Sequence, residues 1–146
     1  MLDADTREPL CVIDLDTVMP GSALYDFGDS IRYGASTAAE DEPDLSKVSL
    51  DLTLFEAFAD GYLETAGQAM TVLERQLLPF SAKMMTLECG IRFLADYILG
   101  DLYFNTKYPG HNLVRTRCQV ALAKDMLQKL PQMEAIVRDC VAAARK

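Results

Sequence analysis

Apolar residues along most of this chain recur three and four positions apart, the spacing of one face of an α-helix. Leu24, Phe27 and Ile31 stand at i, i+3 and i+7 after the loop Pro20-Gly21-Ser22 and predict a first helix. From Asp51 to about Ala66 the period continues through Leu52, Phe55, Phe58, Ala59, Tyr62 and Leu63, with Gly67 as the stop. Thr71 followed by Glu74 forms a capping box for the next helix, which Pro79 is expected to divide or bend. The stretch from Phe80 to Leu99 is so rich in Met, Leu, Ile and Phe that burial on more than one side is expected, and Gly100 ends it. Asn112 is read as the N-cap of a helix through Leu113, Val120, Leu122, Met126 and Leu130. Pro131 is read as the start of a last helix through Met133, Ile136, Val137 and Val141.

The amino terminus departs from this period. Leu10-Cys11-Val12-Ile13 is a bounded apolar run after Pro9, and it predicts a strand from Leu10 to Leu15. Met1-Leu2 would be its partner, across a turn of Asp3 to Pro9. A two-stranded hairpin is marginal alone, so it must lean on other structure. Residues 34 to 48, with the acidic run Glu40-Asp41-Glu42-Pro43-Asp44, read as a solvated connection. The expected architecture is mainly α: a helical bundle with a short amino-terminal β-hairpin, residues 1–146 forming a single domain.

Composition narrows the possible roles. The chain has 146 residues, half of them apolar, which suffices for a core. Its net charge of −8 argues against a nucleic-acid surface, whose affinity comes from neutralising phosphates. Cys11, Cys89, Cys118 and Cys140 are scattered, and MLDADTRE lacks the apolar stretch of a secretory signal; both suit reduced thiols in a cytoplasmic protein. No apolar run approaches the ~20 residues that span a bilayer, so no membrane role is expected.

Candidate chemistry gathers where the predicted strand ends, at Asp14-Leu15-Asp16. Carboxylates at i and i+2 of a strand point to opposite faces, so both address one ion only if the strand has already ended. A magnesium ion chooses carboxylate oxygens, keeps waters and is completed by phosphates, which suits such a site. The same residues also suit a β-turn whose aspartates bond their own backbone. A third reading resembles the first motif of haloacid dehalogenase-like phosphatases, with Asp14 as nucleophile; the glycine turn, later lysine and acidic pair which that motif needs are not found in suitable context. His111, in Tyr108-Pro109-Gly110-His111-Asn112, reads as a turn or capping residue, since zinc needs three or four clustered ligands. Asp96 and Asp101 bracket a helix end, where bordering a sugar pocket and standing as ordinary solvated carboxylates are equally open readings, and neither is named as a site. Arg115, Arg117 and Lys124 read as a solvated positive face.

The stretches VIDLDTVMPG, ALYDFGD, LECGIRFLADY, GDLYF and HNLVRTR, in this order, resemble the aminoglycoside phosphotransferase and choline kinase-like family. Within it they are most similar to the N-acetylhexosamine 1-kinase group. The resemblance implies the helical carboxy-terminal lobe of a protein kinase-like phosphotransferase, moving phosphate from ATP to the anomeric hydroxyl of N-acetylglucosamine or N-acetylgalactosamine. It implies that Asp14 binds the magnesium (Mg2+) that accompanies ATP. It makes Asp26 a buried brace of the catalytic loop, and Arg92 and Tyr103 sugar contacts, donors suited to hydroxyl and acetamido oxygens. Residue type alone makes Arg92 a surface or snorkelling side chain. No His-x-Asp-x-x-x-x-Asn loop, glycine-rich phosphate loop or amino-terminal lobe is found in this sequence, so no catalytic residue is assigned, no tightly bound cofactor is expected, and the chain alone is expected not to transfer phosphate. The alternative class is a stand-alone helical interaction module descended from such a kinase. Exposed apolar area on either reading predicts a homodimer.

Overall fold

The computed structural model describes residues 1–16 and 18–144. Four helices carry it: α1 (Ala23–Gly34), α2 (Leu52–Ala66), α3 (Val72–Leu99) and α4 (His111–Ala143), with a short 3-10 turn at Leu45–Lys47. None of the helices is long and apolar enough to cross a membrane.

Side chains that satisfy orphan backbone donors set the helix starts. Ser22 Oγ accepts the Leu24 N–H, and Asp51 Oδ1 accepts those of Thr53 and Leu54 at 2.8 and 3.1 Å. Thr71 and Glu74 complete both halves of the capping box that opens α3. Gly100 closes α3 in a left-handed conformation with φ 96°, whereas Gly67, after α2, keeps a right-handed helical backbone.

Neither interior proline divides its helix. Pro79 lies within α3 and Pro131 within α4, against the expectation of a break at the first and a new helix at the second. Each removes one backbone bond and costs about 3 kcal/mol, yet the buried stripe runs on past it. In α3 the stripe is Leu78, Ala82, Cys89 and Phe93; in α4 it is Leu122, Met126, Met133 and Val137. Burying one such large side chain is worth about 1.5–3 kcal/mol, so continuity of the stripe outweighs the proline. α4 starts at His111 with Gly110 as N-cap, two residues earlier than expected, because the Asn112 side chain is buried and engaged elsewhere.

Two further expectations fail. The turn at the amino terminus forms, with Asp3 Oδ1 accepting the Asp5 and Thr6 N–H groups and a bridge joining Leu2 to Pro9. The strand beyond it does not form: Leu10, Val12, Ile13 and Leu15 are all more than half exposed, and a short apolar run without a sheet to join has no ladder to stabilise it. The 34–48 connection, for its part, is not simply solvated. Ala35, Val48 and Leu50 are buried, and Ser36 bridges Leu50. α4 fastens it: Asp125 Oδ2 accepts the Leu50 N–H at 2.7 Å, and Lys129 Nζ donates to the Leu50 carbonyl at 2.8 Å.

The core lies where α3 meets α1 on one side and α4 on the other, with α2 closing over α4. Phe27, Ile31, Phe55, Leu63, Leu78, Leu122, Met126 and Met133 fill it. As expected, Phe80 to Leu99 is buried on more than one side, toward α1 and toward α4, but Phe80, Ile91, Ile98 and Leu99 outside those contacts are exposed. Gly28 sets the spacing between α1 and α3. A Cβ there would stand 2.6 Å from the Ser81 carbonyl oxygen and 2.6 Å from Met85 Cγ; the methionine can swing aside and the helix backbone cannot. Gly28→Ala should therefore destabilise by roughly 1–3 kcal/mol in urea unfolding. Gly61→Ala, in open space on α2, should stabilise by up to about 1 kcal/mol in the same assay.

Candidate functional site

A cleft of about 820 Å³ opens between α1, the second half of α3, the loop after α3 and the start of α4. Its far wall, at Phe104 and Asn105, is held in place by one carboxylate. Gly100 and Asp101, both at positive φ, turn the chain back at the end of α3. Asp96, 5 % exposed, then accepts the N–H groups of Leu102, Tyr103 and Phe104 at 2.8–2.9 Å, and the Asn112 amide at 2.9 Å. The same amide reaches Asp101 at 2.8 Å. This junction ties the end of α3, the loop and the first turn of α4 into one unit, with Phe104 against Phe93 at 4.7 Å between ring centres.

α1 supplies the opposite wall, since Tyr25, Asp29 and Arg32 at i, i+4 and i+7 share a face and Asp26 adjoins it. Arg32 is largely enclosed; its Nε donates to Asp29 at 2.8 Å and its Nη1 to Glu40 at 2.7 Å. Burial works against its charge, and the hydrogen bonds to Asp29 and Glu40 more than offset that. Arg115, on α4, lies over the Phe93 ring at 5.2 Å and donates to the Asn105 carbonyl and Asn112 Oδ1. Arg117 and Lys124 are exposed as expected, but Arg115 belongs to the cleft and not to a solvated face.

Of the site residues the sequence singled out, Arg92 and Asp26 line this cleft, and Tyr103 stands beside Arg92 without lining it. Arg92 lines the cleft, half exposed, 3.8 Å from Glu88, with its guanidinium 5.8 Å from the Tyr103 ring centre and 5.5 Å from that of Phe104. Asp26 lines it too, but it is exposed where the resemblance implied a buried brace; α1 turns Phe27 and Gly28 inward and leaves Asp26 on the solvent side. Asp14 does not join them. It sits in the exposed amino-terminal segment at φ 65°, and Asp16 is exposed as well. Among the described residues no three His, Cys, Asp or Glu side chains converge as a metal group. The described residues around Asp14 do not by themselves make a magnesium site.

Asp96, Arg32 and Arg115 are the residues that sequence reasoning missed. Asp96 carried one signal: it lies in the last turn of α3, where the negative end of the helix dipole disfavours a carboxylate. Arg32 and Arg115 carried none, because helical spacing does not show which arginine faces a neighbour.

Chemically, the cleft is built for recognition. Guanidinium donors at Arg32, Arg92 and Arg115 alternate with carboxylate acceptors at Asp26, Asp29 and Glu40, beside the faces of Tyr25, Phe93 and Phe104. Cys89 also borders it, but burial, and then Glu40, Asp29 and Glu88 against the pull of Arg32, push its thiol up to about 11, so it stays protonated and is no nucleophile at neutral pH. His111 serves structure: Nδ1 accepts the Lys107 N–H at 3.2 Å, which places the proton on Nε2, 3.0 Å from Asp41. No protein-family model matches the chain.

Burial raises the pKa of Asp96, but the N–H groups of Phe104, Tyr103 and Leu102 and the Asn112 amide outweigh it and hold the carboxyl below its ordinary value of 3.8. A carboxyl lowered on folding adds stability that is complete above its unfolded pKa and is lost as pH falls through the folded one. Asp96→Asn should therefore melt below the wild type near pH 7, with the gap narrowing as pH falls below the ordinary carboxylate range and the wild-type carboxyl protonates; thermal melts from neutral to acid pH check this.

Proposed function

We propose that this chain is the helical lobe of a sugar phosphotransferase of the aminoglycoside phosphotransferase and choline kinase-like family, nearest the N-acetylhexosamine 1-kinases, and that its cleft takes the sugar. The observation that carries the reading is that Asp26 and Arg92, quoted from separate motifs, line one cleft with aromatic walls, while Tyr103 from a third motif stands beside Arg92 at its edge. A pyranose suits such a lining. Its hydroxyls pair with guanidinium and carboxylate groups, its acetamido oxygen accepts from an arginine, and its apolar ring face lies on an aromatic side chain.

On this reading Arg92 orients the sugar, Tyr103 stacks behind it, and the Asp96 junction holds both in place. The sequence contains no His-x-Asp-x-x-x-x-Asn base, so this chain alone binds sugar without transferring phosphate to it.

Isothermal titration with N-acetylglucosamine and N-acetylgalactosamine tests the reading. Binding in the millimolar range is expected, weakened about tenfold in Arg92→Ala, the loss of about 1.4 kcal/mol typical of one charged hydrogen bond. Absence of heat with either sugar at tens of millimolar removes the sugar assignment. ATP and magnesium should give no sugar phosphate, and turnover that vanishes in Asp14→Asn would overturn the claim of inactivity.

A further inference from the structure

α3 carries a second apolar face that the fold leaves largely open, with Leu77 and Met84 partly buried and the other six seam residues exposed. Leu73, Phe80, Leu87 and Leu94 stand seven residues apart, and Leu77, Met84, Ile91 and Ile98 repeat the spacing four residues later. Together they make an unbroken heptad seam along almost the whole helix, opposite the stripe of Leu78, Ala82, Cys89 and Phe93 that faces the core. Leu73 is 63 % exposed, Ile91 65 % and Ile98 73 %. A solvated helix face has no reason to keep eight apolar residues in register.

We propose that a second copy of this chain covers this seam, the two α3 helices lying parallel and in register as a two-stranded coiled coil. Three observations select that occupant. The first is the residue choice: Leu holds three of the four positions in one set, and Ile holds two of the four in the other. Leucine at d with β-branched residues at a is the combination that favours parallel pairs.

The second is charge. In a parallel pair, a residue just before an a position meets, on the other helix, the residue five places later. Lys83 and Glu88 stand five apart in those flanking positions, so twofold symmetry gives one Lys–Glu pair on each side of the seam. Lys83 Nζ already lies over the Phe80 ring at 4.9 Å, next to the seam. Of the neighbouring flank positions, Gln76 and Ala95 are exposed and uncharged, while Ser81 and Gly90 are buried against α1 and α4, so no like charges meet across the seam.

The third is area. The exposed seam side chains offer on the order of 500 Å² of apolar surface per copy, and their flanking residues bring this near the ~800 Å² per partner of a stable interface.

The seam adjoins the cleft. Glu88 and Arg92 border both, and Glu88 would meet Lys83 of the partner subunit while facing Arg92 in its own chain. The inference rests on α3 alone and not on the sugar reading, so either can fail without the other.

Sedimentation equilibrium of the whole chain at about 10–100 µM tests it, and a mass twice 16.2 kDa is expected. Ile91→Lys, at an exposed position, should give a monomer with an unchanged helical circular-dichroism spectrum. Lys83→Glu and Glu88→Lys should each weaken the dimer about tenfold, and the double swap should restore it. With exposed Cys11 replaced by serine, Leu87→Cys should form an intermolecular disulfide on oxidation, because a parallel register sets each Leu87 against its copy. This cross-link reads the pairing even if Ile91→Lys fails to fold. A monomeric wild type, as expected if a different polypeptide covers the seam, overturns the proposal. So does a dimer indifferent to Ile91→Lys, a double swap that restores nothing, or a Leu87→Cys variant that does not cross-link.

Discussion

The carboxylate of Asp96 accepts three successive backbone N–H groups, those of Leu102, Tyr103 and Phe104, together with the Asn112 amide, and the shape of the cleft depends on that junction. The loop it holds contains no helix and no strand, so its donors need a partner that secondary structure does not supply. One ionised side chain near the end of α3 provides it. Phe104 is thereby laid against Phe93, Tyr103 is set beside Arg92, and the start of α4 is locked to the end of α3. The pairing of an acid with Asn112 also explains why the asparagine does not cap its own helix.

The other dimension of the cleft is the gap between α1 and α3. The absence of a side chain at Gly28 lets the two helices approach until the Ser81 carbonyl occupies the space a Cβ would need. Further along α1 the same rotation turns Asp26, Asp29 and Arg32 toward the opening. Arg32 and Arg115 then share Glu40, so the charges on the two walls are neutralised in pairs and not left to repel across the opening. Packing on one side of α1 and α3 thus determines which polar groups meet on the other.

Local signals were read well where one residue and its near neighbours decide the outcome. Ser22, Asp51, Thr71 and Gly100 mark helix ends at the expected places, because a cap satisfies donors or acceptors within its own turn. Reading failed where the outcome turns on a partner. Leu10 to Leu15 has strand-like residues and no sheet to join; Pro79 and Pro131 have breaking residues and a buried stripe that keeps the helix whole. In α3 the density of apolar residues was visible, but not which face would be left as a largely open heptad seam. For the candidate site, Asp26, Arg92 and Tyr103 were named from motifs, while Asp96, Arg32 and Arg115 escaped because their roles are contacts between elements distant in sequence.

The sequence by itself determined the helical period, the caps and the chemical inventory: arginines, carboxylates and aromatics in a mainly α chain, with the DLD segment at its amino terminus. Those follow from covalent neighbours and need no knowledge of the third dimension. Only the tertiary structure decided that Asp26 and Arg92 share an opening with Tyr103 beside Arg92, that Asp14 does not line it, and that Asp96 organises the loop after α3. The physical reason is that a helix face acquires its meaning from what packs against it, and burial, hydrogen-bond satisfaction and charge pairing are properties of pairs of elements.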